Sequence, residues 1–277
     1  VIQRAPYLQL LDAATGAQRQ LALAHRGYSQ AGHENSMAAF AAAVELGYGF
    51  VETDVNTTAD GVLMAFHDDV LDRVTDGTGR IADYTREELR SIRIGGMEPI
   101  PTLEEILVRW PELRLNVDVK DEAAAVLLAE LMHQHQACER VLVASFSDRR
   151  RLKTLRTLRR LRKERGLNSQ GAVASSPGYW VMAAVVLLGR LGLARMIARM
   201  ARIQCVQVPL TYKGMRVVTA GFVRRCHRAG LQVHVWTIND SSCMNELLDI
   251  GVDGILTDRA DILAGVMRER GNWPQAT

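Results

Sequence analysis

LALAHRGYSQAGHENSMAAFAAAVELGYGFVETDV, residues 21–55, holds a strand, a helix and a second strand in 35 residues. LALAH (21–25) is a short apolar run that reads as a buried strand. A helix over 36–46 follows, with Ser36 as its N-cap and Gly47 just past its last apolar turn. FVETDV (50–55) is the next strand. Two strands joined by a helix of this length form a parallel βαβ unit, because a parallel pairing needs a long crossover.

The alternation continues to the end of the chain. Further strands are expected at LRLNVDV (113–119), VLVAS (141–145), GAVAS (171–175), CVQVP (205–209), VHVWTI (233–238) and DGILTD (253–258). Helical patterns occupy 102–109, 122–133, 148–164, 179–201, 219–229, 241–249 and 259–269. Eight successive strand–helix pairs predict a (β/α)8 TIM barrel, and 277 residues suit a fold that typically takes about 250. No linker or composition break interrupts the chain, so one domain over 1–277 is expected.

One run breaks the alternation. VLMAF (62–66) follows Asp54 too closely for a parallel crossover, and Asp60-Gly61 is a hairpin signal. A turn centred near Ala59-Asp60 makes paired positions sum to about 119 and sets His67 opposite Glu52. Residues 68–101 then form an inserted loop region, and long loops in barrels are usually functional.

Composition narrows the rest. A hydrophobic content of 48% supplies a sizeable core and excludes disorder. The net charge of +3 is uneven: residues 149–165 hold ten basic residues and one acid, leaving 24 basic against 30 acidic elsewhere, a net of −6. With no recognition motif beside it, this local basicity gives no reason to expect a nucleic-acid partner. Cys138, Cys205, Cys226 and Cys243 lack ligand or disulfide spacing and point to a reducing, cytoplasmic setting. No signal peptide is evident, although a chain beginning at Val1 leaves room for a preceding segment. The longest apolar run, within 178–189, is too short to span a bilayer, which takes about 17–25 residues. Together with the basic helix at 149–165, the segment 178–202 nevertheless suits peripheral contact with an anionic membrane.

Barrel active sites are assembled at the C-terminal mouths of the strands. The chemistry-bearing residues there are His25, Arg26, Glu52, Asp54, Asp118, Lys120, Trp236 and Asp258, with His67 added by the hairpin. Glu52 and Asp54, two apart on a strand, share a face, where their repulsion calls for a cation. Oxygen-only ligation favours a hard ion, Mg²⁺ or Ca²⁺. Taken singly, a strand-end histidine is more often structural, paired acids are more often a solvated edge, and Trp236 would be core. Their assembly on one barrel end argues otherwise. HQHQ at 133–136 reads as exposed and idle, and His227 and His234 read as structural.

The runs HRG (25–27), ENS (34–36), ETDV (52–55), TADG (58–61), FHDD (66–69), IPTLEEIL (100–107), NVDVK (116–120), VWTIN (235–239) and GVDGILTD (251–258) resemble the glycerophosphodiester phosphodiesterase family across roughly residues 21–262. The resemblance implies a metal-dependent barrel that cleaves glycerophosphodiesters to glycerol 3-phosphate and an alcohol. It implies that His25 and His67 are the acid/base pair and that Arg26 and Lys120 bind the phosphate. It also makes Glu52, Asp54 and Asp118 the metal ligands, while Trp236 joins the substrate-binding set from its strand end. The nucleophile would be the substrate's own glycerol hydroxyl, giving a cyclic phosphate that water opens. Three positions depart from the family pattern: Asp118 where Glu is commoner, His33 where proline often precedes Glu34, and Ser36 for Thr. The competing readings are a lysophospholipase D working at a membrane, a relative of the sphingomyelinase D toxins, and a catalytically inactive membrane-binding barrel. The lack of paired cysteines disfavours a secreted toxin, and a binding module has no use for both histidines and all three carboxylates.

Overall fold

A computed structural model describes residues 5–11, 15–165 and 173–275. The strands, in chain order, are β1 (Leu21–His25), β2 (Phe50–Thr57), β3 (Leu63–Ala65), β4 (Arg93–Ile94), β5 (Glu98–Pro99), β6 (Arg114–Val119), β7 (Val141–Ala144), β8 (Ala174–Ser175), β9 (Cys205–Pro209), β10 (Thr211–Tyr212), β11 (Met215–Arg216), β12 (Gln232–Trp236) and β13 (Gly254–Thr257). The helices are α1 (Met37–Leu46), α2 (Arg86–Leu89), α3 (Leu103–Arg109), α4 (Ala124–Gln134), α5 (Asp148–Glu164), α6 (Tyr179–Leu188), α7 (Ala194–Ala201), α8 (Ala220–Ala229), α9 (Ser241–Asp249) and α10 (Ala260–Glu269).

Eight parallel strands run in the order β8-β7-β6-β2-β1-β13-β12-β9, a nearly closed barrel with helices outside. Its seam, between β8 and β9, carries no ladder. There Gln204 N–H donates to Ser175 O at 3.1 Å, and Ser175 N–H donates to Gln204 Oε1 at 3.0 Å. The first two positions of the expected strand GAVAS, 171 and 172, lie outside the described residues.

Leu21, Leu23, Phe50, Leu142 and Leu256 fill the barrel interior. A short turn, Pro6–Leu8, closes the end where the strands begin: Tyr7 is fully buried, edge-on to Phe50 at 5.5 Å, and Arg114 Nη1 donates to Tyr7 O at 3.1 Å. The C-terminal residues knit onto the same region. Gln275 Oε1 accepts from Ala22 N–H at 2.8 Å, Gln275 N–H donates to Gly47 O at 2.9 Å, and Asn272 Nδ2 donates to Gln20 O at 2.7 Å.

Three details differ from expectation. The hairpin pairs Val55 with Ala65 and Thr57 with Leu63, so positions sum to 120 and Thr53, rather than Glu52, shares His67's register. The cause is a three-residue turn centred on Asp60: Thr58 N–H donates to Val62 O at 3.0 Å, Val62 N–H donates to Thr58 Oγ1 at 2.9 Å, and Gly61 takes φ +79°. The inserted region 68–101 is no bare loop. Leu71, Ile81, Leu89, Ile94 and Ile100 gather with Met64 and Phe66 in a second apolar cluster, and Thr85 and Glu88 form a capping box on α2. The helix expected over 179–201 is two helices, parted where Gly192 adopts φ +80°.

Candidate active site

The mouth of the barrel holds a cavity of about 260 Å³ lined by His25, Arg26, Glu52, Asp54, His67, Asp118, Lys120 and Trp236. Eight of the nine residues singled out from the sequence therefore face one space, and the ninth, Asp258, meets it only through His25. Asn116, Phe146, Ser176 and Gln207 join them.

The approach to this cavity depends on a tight backbone. Arg26 has φ +57° and Gly27 φ +83°, a left-handed pair that turns the chain off β1. At Gly27 a Cβ would stand 2.7 Å from the Ala39 carbonyl carbon, so the turn can press on α1 only as glycine. Arg26 N–H is held by Glu52 O at 3.0 Å, and its guanidinium reaches Glu34 Oε1 at 2.7 Å. Its Nε lies 3.2 Å from Asp54 Oδ2, an ion-pair distance without hydrogen-bond alignment. Asn35, also at positive φ, donates Nδ2 to Asp54 Oδ2 at 3.2 Å.

Both histidines are anchored through Nδ1. His25 Nδ1 meets Asp258 Oδ1 at 2.6 Å, and His67 Nδ1 bonds the adjacent Asp68. A carboxylate at Nδ1 fixes ring orientation and favours a protonated Nδ1, leaving Nε2 to act as acceptor. Burial works against a charged His25, but Glu52 and Asp258 more than offset it and raise the imidazole above its ordinary range. Sequence reasoning noted Asp258 only as a strand-end residue and assigned Asp68 no part. Its adjacency to His67 in FHDD was the available signal. The tie from Arg73 to Glu34, at 2.6 Å, and on to Asp68 had no signal in spacing, because it spans the inserted region.

The acids differ sharply among themselves. Lys120 Nζ bridges Asp54 Oδ1 and Asp118 Oδ2, each at 2.7 Å. Against its burial, Lys120 and Arg26 hold the Asp54 carboxyl below the usual range. Glu52 lacks such a bridge. Burial first, and Asp54 next, push it up to about 8. A buried carboxylate that resists ionisation for want of a cation, beside two others and the unpartnered Asn116 Oδ1, is a donor set that fits a hard divalent ion. Among the described residues no three His, Cys, Asp or Glu side chains stand grouped as ligands, Lys120 being placed between Asp54 and Asp118. His234 is buried within the barrel wall, and burial lowers it to about 4, which keeps it neutral.

A profile of the Glycerophosphoryl diester phosphodiesterase family matches residues 25–262. A Mycobacterium tuberculosis protein named "Probable glycerophosphodiester phosphodiesterase 2" is 39% identical over 262 residues, covering 93% of this chain and 94% of its own. A glycerophosphodiester phosphodiesterase of Caldanaerobacter subterraneus subsp. tengcongensis is 28% identical, covering 91% and 100%. Among solved structures, the Oleispira antarctica phosphodiesterase in complex with the product sn-glycerol-3-phosphate shares the fold, with a TM-score of 0.71 and 24% identity over 90% of this chain and 96% of that one. The barrel, the profile match and the relatives agree: this chain, a phosphoric diester hydrolase, belongs to the glycerophosphoryl diester phosphodiesterase family.

Proposed function

We propose that the protein hydrolyses glycerophosphodiesters to glycerol 3-phosphate and an alcohol, with His25 and His67 exchanging the protons and a divalent ion required. The observation that carries this reading is the pair of histidines, each oriented through Nδ1 by a carboxylate, on a cavity that also holds Arg26 and Lys120.

Arg26 and Lys120 supply fixed positive charge where negative charge builds on the phosphoryl oxygens, usually the largest single catalytic contribution. Arg26, always ionised and forked, suits bidentate hold of a phosphate; Lys120 acts as a point charge. One histidine takes the proton from a glycerol hydroxyl as it attacks phosphorus. The other delivers a proton to the departing alkoxide as its P–O bond breaks. Water then opens the resulting cyclic phosphate with the same two groups in exchanged roles. Trp236, edge-on to Phe146 at 6.1 Å, gives the cavity an apolar wall against which the substrate would rest. The family generally uses a divalent metal. Glu52, Asp54 and Asp118 would hold the ion, with Mg²⁺ or Ca²⁺ suiting their oxygens, and when bound it would neutralise charge on the phosphate.

The test is alcohol release from glycerophosphocholine, with and without chelator, by the wild type and by His25→Ala and His67→Ala. Chelation should abolish turnover and added divalent ion restore it. Each substitution should lower kcat by at least about 10²-fold. Near-normal turnover in both variants would overturn the two-histidine reading.

A further inference from the structure

Three loops at the mouth of one barrel sector end in exposed apolar side chains. The loop after β7 presents Phe146, 60% exposed; the start of α6, just beyond β8, presents Tyr179 and Trp180, the latter 79% exposed; the β10–β11 ribbon beyond β9 presents Tyr212, Lys213 and Met215. Scattered singly, exposed apolar side chains are ordinary; clustered, they mark an interaction surface.

The cluster is held firmly. Tyr179 N–H donates to Phe146 O at 3.0 Å, and the Tyr179 and Tyr212 hydroxyls meet at 2.9 Å. Asp148 caps α6 by accepting from Gly178 N–H and Val181 N–H, at 3.0 and 3.2 Å. A Cβ on Gly178 would stand 2.6 Å from Asp148 N, so the two loops interlock without room between them. The aromatic surface also continues inward: Phe146 lines the active-site cavity and packs on Trp236.

Charge identifies the partner. Residues 165–239 carry ten Lys or Arg and no Asp or Glu. At the ledge itself, Lys213 caps the ribbon with its Nζ 5.7 Å from the Tyr212 ring, and Arg149, three residues past Phe146, keeps an 84% exposed side chain while its Nε lies 3.6 Å from Glu122 Oε1. The one acid among these loops, Asp148, is spent on Arg151 and the α6 N-terminus. Tyr and Trp with interspersed cations are the chemistry of an interface between apolar and anionic phases. We propose that this ledge docks the mouth of the barrel on an anionic lipid bilayer, so that the catalytic cavity opens onto the lipid surface. The basic helix α5 contributes less, since it runs from the mouth down the outside of the barrel.

Sedimentation with vesicles of phosphatidylcholine, with and without phosphatidylglycerol, tests this, with glycerophosphocholine turnover measured in parallel. The wild type should bind the anionic vesicles at low salt and leave the neutral ones. Lys213→Glu should weaken binding by about fivefold or more, and Trp180→Glu by about tenfold, with both variants keeping wild-type turnover of the soluble diester. Absence of binding to anionic vesicles would overturn the proposal. So would binding that ignores both substitutions yet disappears when Arg156 and Arg159 on α5 are changed to Glu. A dimer in sedimentation velocity that Trp180→Glu dissociates, without vesicle binding, would assign the ledge to a second copy of the chain instead. Docking is read without turnover, so its failure stays separate from failure of the hydrolase reading.

Discussion

His25 Nε2 stands 3.7 Å from Glu52 Oε2, and Glu52 in turn is buried beside Asp54. The high affinity of Glu52 for its proton has a consequence for stability. An unfolded Glu titrates near 4.5, whereas the folded, metal-free chain holds this proton up to about 8. Its contribution is thus fully present below the unfolded value and is lost as pH rises through the folded one. In chelator, Glu52→Gln, which mimics the neutral acid, should melt close to wild type near pH 4.5 and above it at pH 8.5. Each kcal/mol relieved is worth about 2–4 °C in a chain of this size class. Thermal melts across that range check it; curves that stay parallel would mean Glu52 is ionised in the folded protein without a metal.

The inserted region 68–101 has an apolar cluster of its own, so it can act as a rigid bracket. Arg73 is the point at which that bracket reaches the site, bonding Glu34, which holds Arg26, and Asp68, which holds His67. Arg73 does not line the cavity; it positions Arg26 and His67, which do and which are proposed to act on the substrate. Arg73→Ala should lower kcat/KM about 10–100-fold, the usual cost of losing an outer hydrogen-bonding partner. The side chain is about half exposed, so the melting temperature should scarcely move. Steady-state kinetics beside a thermal melt separates the two effects, and an unchanged kcat/KM would remove Arg73 from the mechanism.

Across the barrel, stability rests on both ends of the strands. Tyr7 seals the end opposite the active site, so Tyr7→Ala should cost about 3–5 kcal/mol, as for other buried aromatics, while kcat at 25 °C stays near wild type. Urea unfolding with a parallel activity assay measures this; a loss much under 1 kcal/mol would show that the plug is dispensable. The sequence carried the strand–helix alternation clearly, because apolar runs and Gly stops are local features: β1, β9 and α5 fall where the pattern put them. The candidate residues could be grouped for the same reason, since strand ends in a barrel converge. What escaped was whatever depends on distant chain segments or on one residue of turn geometry. Gly61 shifted the hairpin register, and Arg73 reaches its partners only after the inserted region folds. Asn116 and Gln207 look like ordinary strand positions until the barrel closes around their unpartnered amides.

The hydrogen bonds that tie residues 272–275 to the first strand impose an order on assembly. Ala22 and Gln275, 253 positions apart, share a bond, and β1 must also pair with β13. Contacts of such long sequence separation form slowly, after local units are already in place. While the chain is being synthesised, β2 can pair with β6 and β6 with β7, but β1 keeps one edge open until β13 has left the ribosome. Nascent barrels of this protein therefore expose a strand edge, and with it a need for chaperone protection, throughout the synthesis of every strand from β2 to β12.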